Sequence, residues 1–189
     1  MNSFAELSQH SRFYVTEGSK ATLTRGVAAT SQSGADCPPY WFSGDSTIIL
    51  GAENKSSDSP LTDTFATWEI RTDKSSIQHF KNGHLVVGCL RYFGGLHSYQ
   101  KDSRADVFLN GTLIDGFALR IIPPQHSDYF HRVQLIKLPN VWPLSGCQTV
   151  YTWPLRKNIL ALGSLQHAAI RIDRGVRWDI DYVSLIVES

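Results

Sequence analysis

Short runs of alternating apolar and polar residues make up most of the chain, and Gly, Pro, Asn, Asp or Ser residues separate them. No window of a dozen residues keeps an apolar stripe at helical spacing without a proline, glycine or β-branched interruption. The runs that predict strands are KATLTRGVAA, STIILGA, FATWEIRT, HLVVGCLRYF, ADVFLN, TLIDGFALRII, HRVQLIKL, TVYTWPL, NILALGS, HAAIRID and WDIDYVSLIV. Roughly ten closely spaced strands indicate an all-β sandwich or barrel.

The last run, WDIDYVSLIV, combines an apolar end with two carboxylates at its start. In one extended strand Asp179, Asp181 and Val183 share a face, and Trp178 and Ile180 share the other. Both rows are mostly apolar, which predicts a strand inside a sheet and against a core. A buried carboxylate is unfavourable unless it is paired or binds a cation, so Asp179 and Asp181 are expected to do one or the other.

A hairpin is predicted at Asn110-Gly111, between ADVFL and TLIDGF. Asn-Gly is the strongest short hairpin signal, because both residues accept the positive φ of a type I′ turn.

Length, charge and composition restrict the class of protein, but they do not identify a partner. The 189 residues are enough for one domain with its own core, and we predict a single β-sandwich domain spanning residues 1–189. A net charge of +1 gives no electrostatic reason to expect nucleic acid or an anionic membrane as partner. No apolar run approaches the length of a membrane span, and the first residues lack the order of a signal peptide. We expect a soluble protein in the cytoplasm, or a secreted one if a signal has been removed.

The ending Asp179-Ile180-Asp181-Tyr182-Val183-Ser184-Leu185 resembles the last strand of carbohydrate-binding modules with the galactose-binding-domain-like fold. The Asn-Gly hairpin and the order of strand types along most of the chain agree with that resemblance. It implies an all-β jelly-roll sandwich and a lectin-like, carbohydrate-binding function.

The resemblance also implies a structural calcium ion, held between early loops and the last strand. Glu17 and Asp181 stand where that family has metal ligands, and backbone carbonyls near Ser19 to Thr22 would complete the six to eight oxygens that calcium prefers. The alternative is that Asp181 forms an ion pair with Arg171 or Arg177.

Sugar contacts are expected from the residue before Ile-Asp-Tyr and from aromatic residues in loops. Aromatic rings present apolar surface to the C–H face of a pyranose, while a few polar groups fix its hydroxyls. The loop FGGLHSYQKDSR is the first choice for a binding loop, since its composition gives little reason for burial. The predicted ligand-binding residues are Trp41, Tyr92, His97, Tyr99, Trp178 and Asp179.

Enzyme chemistry has little support in the sequence, which contains no nucleophile elbow, phosphate-binding glycine loop or Cys-x-x-Cys motif. Two of the carboxylates Glu69, Asp73, Asp106 and Asp115 could serve a glycosidase, although Glu69 is more simply a solvent-facing strand residue. The leading prediction is therefore a non-catalytic carbohydrate-binding module. The alternatives are a protein-interaction or assembly domain on the same fold and, third, a small β-sandwich glycoside hydrolase or lyase. The oligomeric state is left open.

Overall fold

The computed structural model describes residues 11–32, 46–51, 63–90, 96–98, 103–119 and 148–188, and these residues are almost entirely strands. The elements in chain order are β1 (Ser11–Glu17), β2 (Thr22–Arg25), β3 (Ala28–Gln32), β4 (Ser46–Leu50), β5 (Thr64–Arg71), α1 (Lys74–Gln78), β6 (Asn82–Leu90), β7 (Leu96–Ser98), β8 (Ser103–Leu109), β9 (Thr112–Leu119), β10 (Gln148–Pro154), β11 (Leu165–Ile172), β12 (Val176–Ile180) and β13 (Tyr182–Glu188). None of the helices in these ranges is long and apolar enough to cross a membrane.

The strands form three antiparallel sheets in the described part of the chain. A four-stranded sheet has the order β1-β13-β6-β10, a five-stranded sheet has the order β2-β5-β11-β8-β9, and a second four-stranded sheet has the order β3-β4-β12-β7. One hydrophobic core takes residues from all three, among them Leu185, Ile170 and Trp178. The prediction of an all-β sandwich is confirmed.

The Asn-Gly hairpin is confirmed. Asn110 and Gly111 have φ angles of 50° and 78°, and they join β8 to β9 so that Leu109 pairs with Thr112. The Asn110 side chain also donates to the Ile159 carbonyl at 2.9 Å and accepts from the His167 amide at 2.8 Å. The turn is therefore tied to the neighbouring β11 as well as to its own strands.

The run WDIDYVSLIV is not one strand, contrary to the prediction. Asp181 separates β12, which pairs with β4 and β7, from β13, which pairs with β1 and β6. The chain passes from one sheet to another at this residue, so the alternation of faces does not continue across it. The prediction of a central strand is confirmed for β13, because both its rows are buried, including Tyr182, Ser184 and Ile186.

Two other predicted strands differ from the structure. KATLTRGVAA is divided at Gly26, whose φ of 84° ends β2 and sends β3 into another sheet. NILALGS is a 3-10 turn followed by irregular chain. There the Gln166 side chain bonds the Ala161 amide, the Ala161 carbonyl and the Gly163 carbonyl, so a side chain satisfies backbone groups that a strand would pair.

The sequence analysis did not predict β1, β7 or α1, and HRVQLIKL lies outside the described residues.

Within β6, His84 is partly buried, and this burial lowers the pKa of its imidazole while the charge of Glu188 acts in the opposite direction.

Candidate functional site

Asp181, where β12 meets β13, contacts three parts of the chain that are distant in sequence. We call Asp181 and the residues that it contacts, Gly18, Thr47 and Gly88, the strand junction. The Asp181 amide donates to the Gly88 carbonyl at 2.8 Å, and the Asp181 carbonyl accepts from the Gly18 amide at 2.7 Å. The Asp181 Oδ1 accepts from the Thr47 hydroxyl at 3.2 Å. The Asp181 side chain is therefore fixed in a fully buried position.

Glu17 and Asp181, the two predicted calcium ligands, lie on neighbouring segments. Glu17 pairs with Tyr182 in the β1–β13 register, and the next residue, Gly18, bonds directly to Asp181. Within the described ranges, no group of three or more His, Cys, Asp and Glu side chains could hold a metal ion. A cation here would need backbone carbonyl oxygens as well as these two carboxylates, which is the ligand set that the family resemblance implies.

The arginines named as alternative partners of Asp181 bind other carboxylates. Arg177 donates from Nε to Asp179 Oδ1 at 2.8 Å and from Nη2 to Asp179 Oδ2 at 2.9 Å. Arg171 is paired with Asp106. Asp179 is 1% exposed. Its buried charge is therefore compensated by a bidentate ion pair with Arg177. Contact between Asp179 and a sugar stays a prediction, and this burial does not favour it.

Trp178 lies in the core, on the opposite face of β12 from the ion pair. Its ring is 0% exposed and contacts Tyr151 edge-on, with ring centroids 5.3 Å apart. A ring in this position has no free face for stacking on a pyranose. Ligand binding by Trp178 also stays a prediction that its burial does not favour.

The other predicted ligand-binding residues are Trp41, Tyr92, His97 and Tyr99. Trp41, Tyr92 and Tyr99 lie outside the described residues. For His97 the structure describes the backbone, which belongs to β7 and pairs with Arg177 of β12. Their role in ligand binding stays a prediction.

An open groove of about 660 Å³ lies on the outer face of the five-stranded sheet, along its border with β1. We call it the polar groove. Its lining residues are Val15, Thr16, Lys20, Thr22, Thr67, Glu69, Arg71 and His167. They combine three hydroxyls with a carboxylate, an ammonium, a guanidinium and an imidazole, so donors and acceptors alternate over one surface.

Strand alternation builds this groove. In β5 the residues Ala66, Trp68 and Ile70 point into the core, which turns Thr67, Glu69 and Arg71 outward. Glu69 pairs directly with His167 across β5 and β11, and the Thr67 hydroxyl donates to the Thr22 carbonyl at 3.3 Å. Apart from Lys20, which ends the 3-10 turn Gly18–Lys20, the polar side chains therefore stand on paired strands, which limits how far they move.

The sequence analysis did not identify the polar groove as a candidate site. It identified Glu69 as a solvent-facing strand residue, which is confirmed, but it did not place His167 beside Glu69. The outward polar rows of FATWEIRT and LQHAAIRI were visible signals. The pairing of these rows depends on contacts between segments far apart in sequence, and the local pattern of residues does not predict such contacts.

The four carboxylates considered for a glycosidase lie in different surroundings. Glu69 lines the polar groove, and Asp106 is buried between two arginines. Asp73 accepts a hydrogen bond from the Tyr14 hydroxyl at 3.1 Å, and Asp115 accepts one from the Trp153 indole at 2.9 Å. The groove therefore includes one carboxylate of this set, whereas glycoside hydrolysis generally uses two.

No protein-family model and no curated protein matches the sequence. Among solved structures, a family 35 carbohydrate-binding module from Clostridium thermocellum matches over 92% of this chain and 97% of its own, with TM-score 0.43 and 8% identity. Another, CBM35 from Paenibacillus barcinonensis, matches over 90% and 96%, with TM-score 0.43 and 12% identity.

The chain is similar in structure to carbohydrate-binding modules. A third match is the Clostridium thermocellum xylanase 10B with its CBM22-1 and GH10 modules, complexed with xylohexaose, over 94% of this chain and 28% of that one. Its TM-score is 0.37 at 8% identity.

Proposed function

We propose that the chain is a non-catalytic carbohydrate-binding module and that the polar groove is part of its ligand-binding surface. The observation that carries this proposal is the groove itself, in which exposed Glu69, Arg71 and His167 alternate acceptors and donors on a paired-strand base. Sugar hydroxyls donate and accept hydrogen bonds at the same time, so a surface with both kinds of group suits them. The groove is open, as an extended polysaccharide requires.

Binding is favoured over hydrolysis because, among the residues that the structure describes, the groove lining has one carboxylate, that of Glu69. A glycosidase places two carboxylic groups across the bond to be cleaved, at separations of roughly 5 to 10 Å. Release of product from chromogenic glycosides by the purified chain would contradict this choice.

The double substitution Glu69→Ala and His167→Ala is expected to weaken glycan binding about tenfold or more, because it removes a charge-assisted acceptor and an imidazole partner. The glycan is first identified on an array, and its dissociation constant is then measured by isothermal titration calorimetry. Both side chains are exposed, so the thermal midpoint should change little. Arg156→Ala, at an exposed residue after β10, is the control for a surface substitution outside the groove.

Two results would contradict the proposal. Absence of glycan binding together with a concentration-dependent mass would favour the assembly-domain alternative. Unchanged binding in the groove variant, with loss of binding in Trp41→Ala or Tyr99→Ala, would move the ligand to the loops predicted from the sequence.

We also propose that calcium binds beside the strand junction, through Glu17 and Asp181 together with backbone carbonyl oxygens. The support is that these two residues lie on neighbouring segments, because Glu17 directly precedes Gly18, whose amide bonds to the Asp181 carbonyl.

Saturating calcium is expected to raise the thermal midpoint by about 5 °C or more over the value in a chelator, because a ligand that binds only the folded state stabilises it. Differential scanning calorimetry measures this shift, and magnesium serves as the control ion. Glu17→Gln should abolish the shift, and equal midpoints in calcium and chelator would overturn the proposal.

A further inference from the structure

The outer face of the five-stranded sheet continues beyond the polar groove onto a row of four paired residues. Phe65 of β5, Arg171 of β11, Asp106 of β8 and Gly116 of β9 lie side by side in the strand register. Their strand neighbours Ala66, Ile170 and Val107 belong to the core, so the row itself is on the outer face.

One buried carboxylate in this row, that of Asp106, fixes two arginines, and we call Arg104, Asp106 and Arg171 the arginine–aspartate cluster. Arg171 lies in the row, and Arg104 lies two residues before Asp106 on β8. Arg104 Nε donates to Asp106 Oδ1 at 2.7 Å, and Arg171 Nη2 donates to Asp106 Oδ2. The Asp106 side chain is 3% exposed, whereas those of Arg104 and Arg171 are 45% and 50% exposed. The cluster therefore carries one net positive charge and turns guanidinium groups toward solvent.

Gly116 makes this arrangement possible. A Cβ atom at Gly116 would lie 2.3 Å from Arg104 Nη2 and 2.5 Å from Asp106 Oδ1. Any larger residue would push the guanidinium group away from the carboxylate. The absence of a side chain at Gly116 thus leaves room for the Arg104 guanidinium group beside β9.

An apolar surface adjoins the cluster. The rings of Phe65 and Phe108 have centroids 6.1 Å apart at an interplanar angle of 52°. Ala169, paired with Thr67 on one side and Phe108 on the other, adds a methyl group beside the Phe108 ring. Half-buried rings beside fixed guanidinium groups combine apolar stacking with directed N–H donors.

From this juxtaposition we infer that the ligand is an acidic glycan, with a sugar carboxylate bound by the arginine–aspartate cluster. Guanidinium groups bind carboxylates through paired, charge-assisted hydrogen bonds, and side chains already held in place lose little freedom on binding. The groove and the cluster together present the cations Lys20, Arg71, Arg104 and Arg171 against the anions Glu69 and Asp106. This face is therefore positively charged, in a chain whose net charge is only +1.

The inference rests on the proposed carbohydrate-binding function. Binding to a pair of polymers distinguishes failure of the acidic-glycan inference from failure of the proposed function. The purified chain is titrated with polygalacturonate and with the same polymer after methyl esterification, which removes the negative charge and keeps the sugar backbone. We expect binding to the free acid to be at least tenfold tighter and to weaken with added salt.

Arg171→Gln is expected to reduce binding to the free acid about tenfold and to leave binding to the esterified polymer unchanged. Arg104 remains to pair with Asp106 in this variant, and the thermal midpoint reports whether the fold is kept. Arg156→Gln, with the same loss of charge outside the row, is the matched control and should bind as the unchanged chain does. A folded Arg171→Lys variant should recover part of the affinity, because it restores the charge without the planar fork.

Equal affinity for the two polymers, or unchanged binding in folded Arg171→Gln, would overturn the acidic-glycan inference while leaving a neutral-glycan function intact. Absence of binding to every glycan tested would instead overturn the proposed function.

Discussion

Replacing Arg177 with methionine is expected to lower the free energy of unfolding by about 3 to 5 kcal/mol, because it leaves the Asp179 carboxylate buried without its guanidinium partner. Both Asp179 oxygens accept from Arg177, and the two side chains are 2% and 10% exposed. Water therefore cannot replace the lost hydrogen bonds without opening β12. Urea unfolding followed by circular dichroism measures the change.

The matched control is the double variant Arg177→Met with Asp179→Leu. Replacing both partners of a buried ion pair by apolar side chains of similar volume is often neutral or stabilising, so the double variant should regain most of the lost stability. A double variant as unstable as the single one would show that shape, and not uncompensated charge, determines the effect.

The substitution Gly18→Ala is expected to lower the free energy of unfolding by about 3 kcal/mol or more. The added methyl group would clash with backbone atoms, which cannot move aside as the end of a flexible side chain can. An added Cβ would lie 2.0 Å from the Ile180 carbonyl oxygen and 3.0 Å from that of Asp181. The same residue donates its amide to Asp181 and accepts from the Trp68 indole at 3.0 Å. Displacing Gly18 would thus break two buried hydrogen bonds as well.

Gly163→Ala makes the same chemical change where the nearest atom to the new Cβ is 4.0 Å away. It should alter the free energy of unfolding by no more than about 0.5 kcal/mol. If Gly18→Ala unfolds at the same urea concentration as Gly163→Ala, the close packing of Gly18 against Ile180 and Asp181 is not a constraint on the fold.

The sequence predicted most strands because burial on one or both faces produces alternation or short apolar runs, as in β5 and β11. It predicted the hairpin at Asn110 because two positive φ angles restrict the residue types there. It did not predict the break at Asp181, because the residues on either side remain apolar and buried in two different sheets. The local sequence pattern indicates which residues are buried, but it does not indicate which sheet a strand joins.

The candidate site was less accessible to sequence analysis than the fold. The adjacency of Glu17 and Asp181 followed from the family resemblance, and their binding of calcium stays a prediction. The pairing of Asp179 with Arg177 was not predicted, although residues two apart in a strand share a face. The groove and the arginine–aspartate cluster need the β5–β11–β8 register, which depends on pairing between segments far apart in sequence.

The pairing of β1 with β13 has a consequence for how the protein folds. Ser11 is opposite Glu188, and β13 also separates β1 from β6, so the sheet β1-β13-β6-β10 cannot close until β13 has left the ribosome. Topologies dominated by such non-local pairings fold in milliseconds to seconds, far more slowly than those built from local contacts. During synthesis the edges of β1 and β6 therefore stay without their shared neighbour, and in that interval the chain is most exposed to aggregation.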